Sequence, residues 1–171
     1  NSPHTNRRSV YSKPHTTIDA GRKTGTAQDE KWFNNIFIRR GLNDVKNAPG
    51  YVSDYNIFLE GAAKSSFGDR SSLVDAYVTG LTVKDHPLGA TITFSVNDAP
   101  FRMQGPWVNA ELVGVFPTVG QTIEDRNGNP ITVDTDLNGQ KFAKPLAGPL
   151  ANLTQGQNTI TWTFRNALGQ W

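Results

Sequence analysis

Three histidines, no cysteine and fifteen acidic residues are the raw material for any catalysis or metal binding in this 171-residue chain. His4 and His15 fall in a stretch punctuated by Pro3, Pro14, Gly21 and Gly25. That stretch shows neither helical nor strand periodicity, so nothing local holds the two rings in a catalytic geometry. His86 precedes Pro87 in Lys84-Asp85-His86-Pro87, the composition of a surface turn. No Gly-x-Ser-x-Gly elbow offers a nucleophile, and dispersed histidines without thiolates do not specify a zinc site. The expectation is a chain with no catalytic residues and no cofactor, and an enzymatic reading on His86 ranks last.

Two short motifs invite ligand readings. Gly21-Arg22-Lys23-Thr24-Gly25-Thr26 has Lys-Thr near glycines, but Arg22 breaks the Gly-Lys order of a phosphate loop and no strand precedes it. Asp134-Thr135-Asp136-Leu137-Asn138-Gly139 matches the opening D-x-D-x-N-G of a calcium loop, in which alternating oxygens converge on one ion. The twelfth position, which would supply the bidentate Glu, is Pro145. Asp134, Asp136 and Asn138 are therefore a calcium candidate set against a β-hairpin with Asn138-Gly139 at its tip. Of the four tryptophans, Trp32 and Trp162 sit in apolar patterns that suit a core, and Trp171 ends the chain. Trp107 follows Gly105-Pro106 in a loop, where an aromatic ring serves either as a surface platform for a ligand or as a cover for its own domain.

The elements that would position these residues divide the chain by charge. Residues 1–46 hold nine bases against four acids, a net of +5, and residues 47–171 hold eight against eleven, a net of −3. Residues 1–25 read as a flexible basic arm too poor in apolar side chains to order itself. Its Arg7, Arg8, Lys13, Arg22 and Lys23 could neutralise a few phosphates without sequence preference. The only methionine is Met103, so Asn1 is expected to have been exposed by processing or trimming. Thr26-x-x-Asp29 resembles a capping box, and Trp32, Phe33, Ile36 and Phe37 fall at helical spacing, so a helix is expected from about 27 to 40 within a helix-and-linker unit at 26–46. Its apolar face would meet a neighbouring subunit or the chain's own domain.

From residue 47 onward period-2 patterns take over. Strands are expected at 55–60, 73–83, 90–96, 111–116, 118–125, 131–136, 140–143 and 158–165. Asn127-Gly128 and Asn138-Gly139 read as type I′ hairpin turns. The segments at 91–96 and 159–164 share an in/out alternation. Short strands separated by turns, without intervening helices, give the expected class: all-β, an antiparallel and jelly-roll-like sandwich over 47–171, with an extended N-terminal arm and one short helix. No run of about 18 apolar residues is present for a membrane-spanning helix.

In layout, with a basic N-terminal arm ahead of a β-sandwich body, the chain is similar to the coat proteins of icosahedral viruses and phages. The resemblance rests on element order and charge placement over the whole length, and no residue can be carried over from it. It implies a non-enzymatic structural subunit of a virion that self-assembles, as a homo-oligomer or with other virion proteins. The arm would then touch neighbouring subunits or, non-specifically, nucleic acid. The alternative is a non-enzymatic β-sandwich binding module, carbohydrate-binding or adhesin-like, working outside the cell or at its surface with Trp107 as its platform.

Overall fold

The computed structural model describes residues 8–24, 30–116 and 120–163. The chain is all-β, with twelve strands and two single-turn helices among those residues. The first two strands, β1 (Arg8–Ser12) and β2 (Asp19–Thr24), form an antiparallel hairpin in which Val10 pairs with Arg22. Residues 8–12 and 19–24 are thus paired strands joined by a turn, where an extended arm was expected. The turn supplies the missing order: Thr16 donates its amide to the Lys13 carbonyl, and Lys13 donates to Ile18 across the loop.

Where a helix was expected over 27–40, the chain instead makes two three-residue strands, β3 (Lys31–Phe33) and β4 (Ile36–Ile38), with residues 27–29 outside the described set. The turn between them holds Asn34 at φ +57, a left-handed conformation that no helix accommodates and that asparagine tolerates better than most residues. Trp32, Phe33, Ile36 and Phe37 therefore do not share one stripe. Two further short strands, β5 (Val52–Asp54) and β6 (Ile57–Leu59), repeat the unit, and β7 (Leu73–Asp75) begins a third. β3 pairs with β5, and β6 pairs with β4 on one side and β7 on the other, every pair parallel and in register.

The first two units are coils of identical length. Lys31 lies beside Val52 and Ile36 beside Ile57, both pairs 21 positions apart, whereas Ile57 to Leu73 spans 16. Backbone signs repeat with the coil: Asn34 and Tyr55 are both left-handed after the first strand, and Arg39 and Glu60 are both left-handed after the second. Side chains stack in columns. Ile36, Ile57 and Leu73 point to one side, and Phe37, Phe58 and Val74 to the other, as the pleat requires.

The rest of the chain includes an antiparallel sheet, β8 (Thr82–His86), β9 (Gly89–Val96) and β12 (Gly156–Thr163), in the order β12-β9-β8. The two look-alike segments are neighbours in it, with Thr93 opposite Thr159 and Ile92 opposite Ile160. Here the expected antiparallel pairing is present. The main core lies between this sheet and the parallel one: Phe94, Val96 and Ile160 from one side cluster with Ile57 and Leu59 from the other. The helix α1 (Ala99–Arg102) contributes Ala99 to the same cluster. A second, smaller cluster of Leu42, Phe58 and Ala62 covers the outer column, where the Phe37 and Phe58 rings stack at 5.0 Å.

The expected strand at 111–116 is instead the single-turn helix α2 (Ala110–Val113), because the Asn109 side chain accepts from the Leu112 amide and caps it. It follows the two-residue strand β10 (Val108–Asn109), which pairs with β11 (Thr132–Val133). Residues 118 and 119 lie outside the described set, and over 120–125 and 140–143 the expected strands are reduced to the isolated bridges Phe116–Gln121, Glu124–Pro130 and Thr135–Lys141.

Candidate functional site

The sharpest local chemistry is the polar column inside the coil turns. The Asn56 Oδ1 accepts from the Asn35 amide at 2.9 Å, and its Nδ2 donates to the Trp32 carbonyl at 2.9 Å. In the other direction the Asn56 Nδ2 also donates to Asp69 Oδ1 at 3.1 Å and the Asn56 main-chain amide to Ser72 Oγ at 2.8 Å, so one buried residue ties three successive coils. Asp69, also fully buried, accepts from the hydroxyls of Ser53 and Ser72, each at 2.8 Å, and from the Ser65 amide at 2.9 Å. Burial pushes the Asp69 carboxyl up, but the donors from Asn56, Ser65 and Ser53 outweigh it and hold the group below its ordinary value. These groups satisfy one another and form a structural spine.

Open space lies elsewhere, where the segment 105–148 wraps the first coil. The Asn34 Nδ2 donates to the Pro106 carbonyl at 2.9 Å, and the Gly148 amide donates to the Asn34 carbonyl at 2.9 Å. Between these fastenings are three connected or adjacent spaces. A groove of about 520 Å³ runs along Lys31, Trp32 and Phe33 and faces Val108, Val113 and Val133. A cleft of about 230 Å³ continues from it beneath Trp107, past Phe142 and Pro145. On the other side of Trp107 a shallow concavity of about 510 Å³ is bordered by Pro106, Asn109, Glu111 and Leu112.

Trp107 therefore does separate two surface depressions, and its ring is half-buried. Glu111 beside it is exposed, and Asn109 presents an amide whose oxygen already caps α2. An indole face flanked by a carboxylate and an amide can stack on the apolar face of a polar ring and bond its hydroxyls.

The other residues singled out in sequence fall at separate places. Trp32 packs edge-on against Tyr51 at 5.2 Å and tilted against Phe67 at 5.8 Å, Ile36 lies against the main core, and Phe33 lines the groove. Lys13 and Arg22 are exposed on the hairpin, Arg8 and Lys23 lie in its paired strands, and Arg7 lies outside the described residues. His15 is anchored after all, since its Nε2 lies 2.8 Å from Glu124 Oε2 and fixes the hairpin tip to the body. His86 closes β8 opposite Gly89, with Pro87-Leu88 as the loop.

The calcium candidates resolve into turn chemistry. Asp136 Oδ1 accepts from the amides of Asn138 and Gln140, each at 2.8 Å, and its Oδ2 accepts from Ala151 at 2.9 Å. Asp134 faces Lys141 Nζ at 3.1 Å. Asp125 builds a twin, accepting from Asn127 at 2.8 Å and from Asn129 at 2.9 Å. Only Gly128 and Gly139 are left-handed in these turns, which corrects the type I′ reading: each is an Asp-initiated turn closed by a left-handed glycine. Among the described residues no group of three His, Cys, Asp or Glu side chains is placed to hold a metal ion.

No protein-family model matches the chain, and no curated protein matches it in sequence. Among solved structures the chain is similar to one described as the complex structure of XylC with xylose, with a TM-score of 0.74 and 22% identity. The match covers 91% of this chain and 30% of that one. At this identity the likeness is one of fold, and the chain spans less than a third of the length of the protein it resembles.

Proposed function

We propose that the chain is a non-enzymatic β-structured binding module for carbohydrate, with Trp107 as its platform. The observation that carries this reading is the placement of Trp107 at the edge of an open concavity with Asn109 and Glu111 beside it. A sugar ring offers one apolar face and a rim of hydroxyls, which suits an indole flanked by a carboxylate and an amide. The solved structure of similar fold was obtained with xylose, which supports pentose-containing glycans as the first class to try.

Titration calorimetry with xylo-oligosaccharides, alongside gluco- and manno-oligosaccharides, tests the proposal. Saturable heat lost in Trp107→Ala and retained in a Val83→Asp control is the expected result. Absence of heat and of any indole fluorescence change across the panel overturns it.

A second reading, a self-assembling structural subunit of a viral or phage shell, has its own observation. Val74, Val78, Val83 and Leu88 are each 60–70% exposed within one stretch of chain, an apolar set of the kind that subunit contacts cover. Light scattering separates the two readings. A mass that rises with concentration and returns to the monomer in Val78→Asp favours the shell subunit.

A further inference from the structure

The geometry points to a charge filter at the Trp107 concavity, which selects neutral glycans that present adjacent hydroxyls and disfavours the same chains when they carry uronic acids. The inference rests on the sugar-binding reading above and names the class of sugar that the site takes.

The first observation is the orientation of the Asn109 amide. Its backbone pairs with Thr132 in the β10–β11 ladder, and its side chain accepts from the Leu112 amide at 2.9 Å. Only the oxygen of a carboxamide can accept from an N–H, so Oδ1 is turned to α2 and Nδ2 is turned away from it. Among the described residues no acceptor takes the Nδ2 hydrogens. The concavity is therefore bordered by a donor whose orientation is set before any ligand arrives.

The second observation is the state of Glu111. It is exposed, it borders the same concavity, and no ion pair among the described residues uses it. Pro106, Trp107 and Leu112 complete the border, so no lysine, arginine or histidine is there to offset its charge. One fixed donor and one ionised acceptor suit a vicinal diol: one sugar oxygen accepts from Asn109 Nδ2, and the neighbouring hydroxyl donates to Glu111. A ligand carboxylate only accepts. Beside Glu111 it finds neither a proton nor a cation.

The third observation is the frame that holds these groups together. The Asn34 side chain donates to the Pro106 carbonyl at 2.9 Å on one side of Trp107, and on the other the Ala110 amide donates to Ile131 at 3.2 Å. The Gly114 amide then closes α2 on the Ala110 carbonyl at 2.9 Å. Trp107, Asn109 and Glu111 thus share one short fastened segment. Because Glu111 is exposed, the filter is a graded preference, and a second carboxylate beside it in a water-like medium is disfavoured by about fivefold.

Titration calorimetry tests the filter with a xylo-oligosaccharide carrying one glucuronic acid, compared with its methyl ester, which has the same shape without the charge. The ester is expected to bind about fivefold more tightly at low ionic strength, and the ratio to fall toward one in roughly 1 M salt, where screening is nearly complete. Glu111→Gln should bring the ratio toward one at low salt as well. Asn109→Asp keeps an acceptor for the Leu112 amide but replaces the donor with a carboxylate, so it should weaken the ester and widen the ratio. Equal affinity for acid and ester in the native protein, or an undiminished ratio in Glu111→Gln, overturns the filter. If ester binding is nevertheless lost in Trp107→Ala, the platform stands without it. No binding of either sugar, or ester binding that survives Trp107→Ala, overturns the platform and the filter together.

Discussion

Arg39 and Glu60 occupy the same left-handed position in successive coils, and the Arg39 Nε donates to Glu60 Oε1 at 2.8 Å. Glu60 Oε2 in turn accepts from the Thr79 hydroxyl at 2.6 Å and from its amide at 3.1 Å. One carboxylate thus joins the first coil, the second and the segment that leads into β8.

The Thr79 and Arg39 donors hold the Glu60 carboxyl well below its ordinary value of 4.5, at about 2. A group with a depressed folded-state pKa contributes stability above its unfolded-state value and loses it as pH falls through the folded-state value. Urea denaturation midpoints should therefore fall between about pH 4.5 and pH 2, with Asp69 and Asp136 contributing in the same direction. Glu60→Gln should be less stable at neutral pH and show a shallower decline on acidification. An unchanged pH profile would rule out this role for Glu60.

Asn56→Ala removes the side chain that spans three coils. The Asn35 amide loses an acceptor, and the Trp32 carbonyl, Ser53 Oγ and Asp69 lose a donor. Leaving buried polar groups unpaired costs about 1–3 kcal/mol each, so a total of at least ~2 kcal/mol is expected in chemical denaturation. Asn56→Asp should be at least as damaging, since it sets a second carboxylate beside Asp69.

Gly41 is a packing glycine, and a Cβ there would collide with the Ala63 backbone of the next coil. The obstacle is main chain and cannot rotate away. Gly41→Ala should cost about 1–3 kcal/mol by overpacking, read as a lower thermal midpoint, whereas Gly61→Ala meets no neighbour but forces φ +84 on alanine. Comparing the two separates contact strain from backbone strain.

His15→Ala should free the tip of the β1–β2 hairpin. The pair it makes with Glu124 is partly exposed, at 39% and 24% for the two side chains, so global stability should change by no more than ~1 kcal/mol. The readable effect is local. Limited proteolysis between Lys13 and Ile18 should accelerate, with the body of the domain left intact.

What was legible in the sequence follows from strand length. β9 and β12, eight residues each, carry a full alternation and were readable as strands facing a core. β3, β4, β5 and β6 have three residues each, too few for a period-2 signal, and Trp32, Phe33, Ile36 and Phe37 imitate a helical stripe because two short strands and a turn happen to reproduce that spacing. The usable signal was the repeat of Asn35-Ile36-Phe37-Ile38 as Asn56-Ile57-Phe58-Leu59, the same polar-then-apolar tetrad 21 positions on. Trp107 could be found as a loop aromatic, but the groove could not, since its walls come from residues 30–35 and 108–133 and only the coil turn at Asn34 brings them together.

The outer column of Phe37, Phe58 and Val74 is roofed unevenly: Phe58 is fully buried, while Val74 is 60% exposed. Where successive layers differ in cover on one face, such a gradient sets the order of opening. The third layer should fray first, with β7 exchanging its amides ahead of β6 and β4, so heating should peel this part of the molecule from its open end instead of melting it in one step.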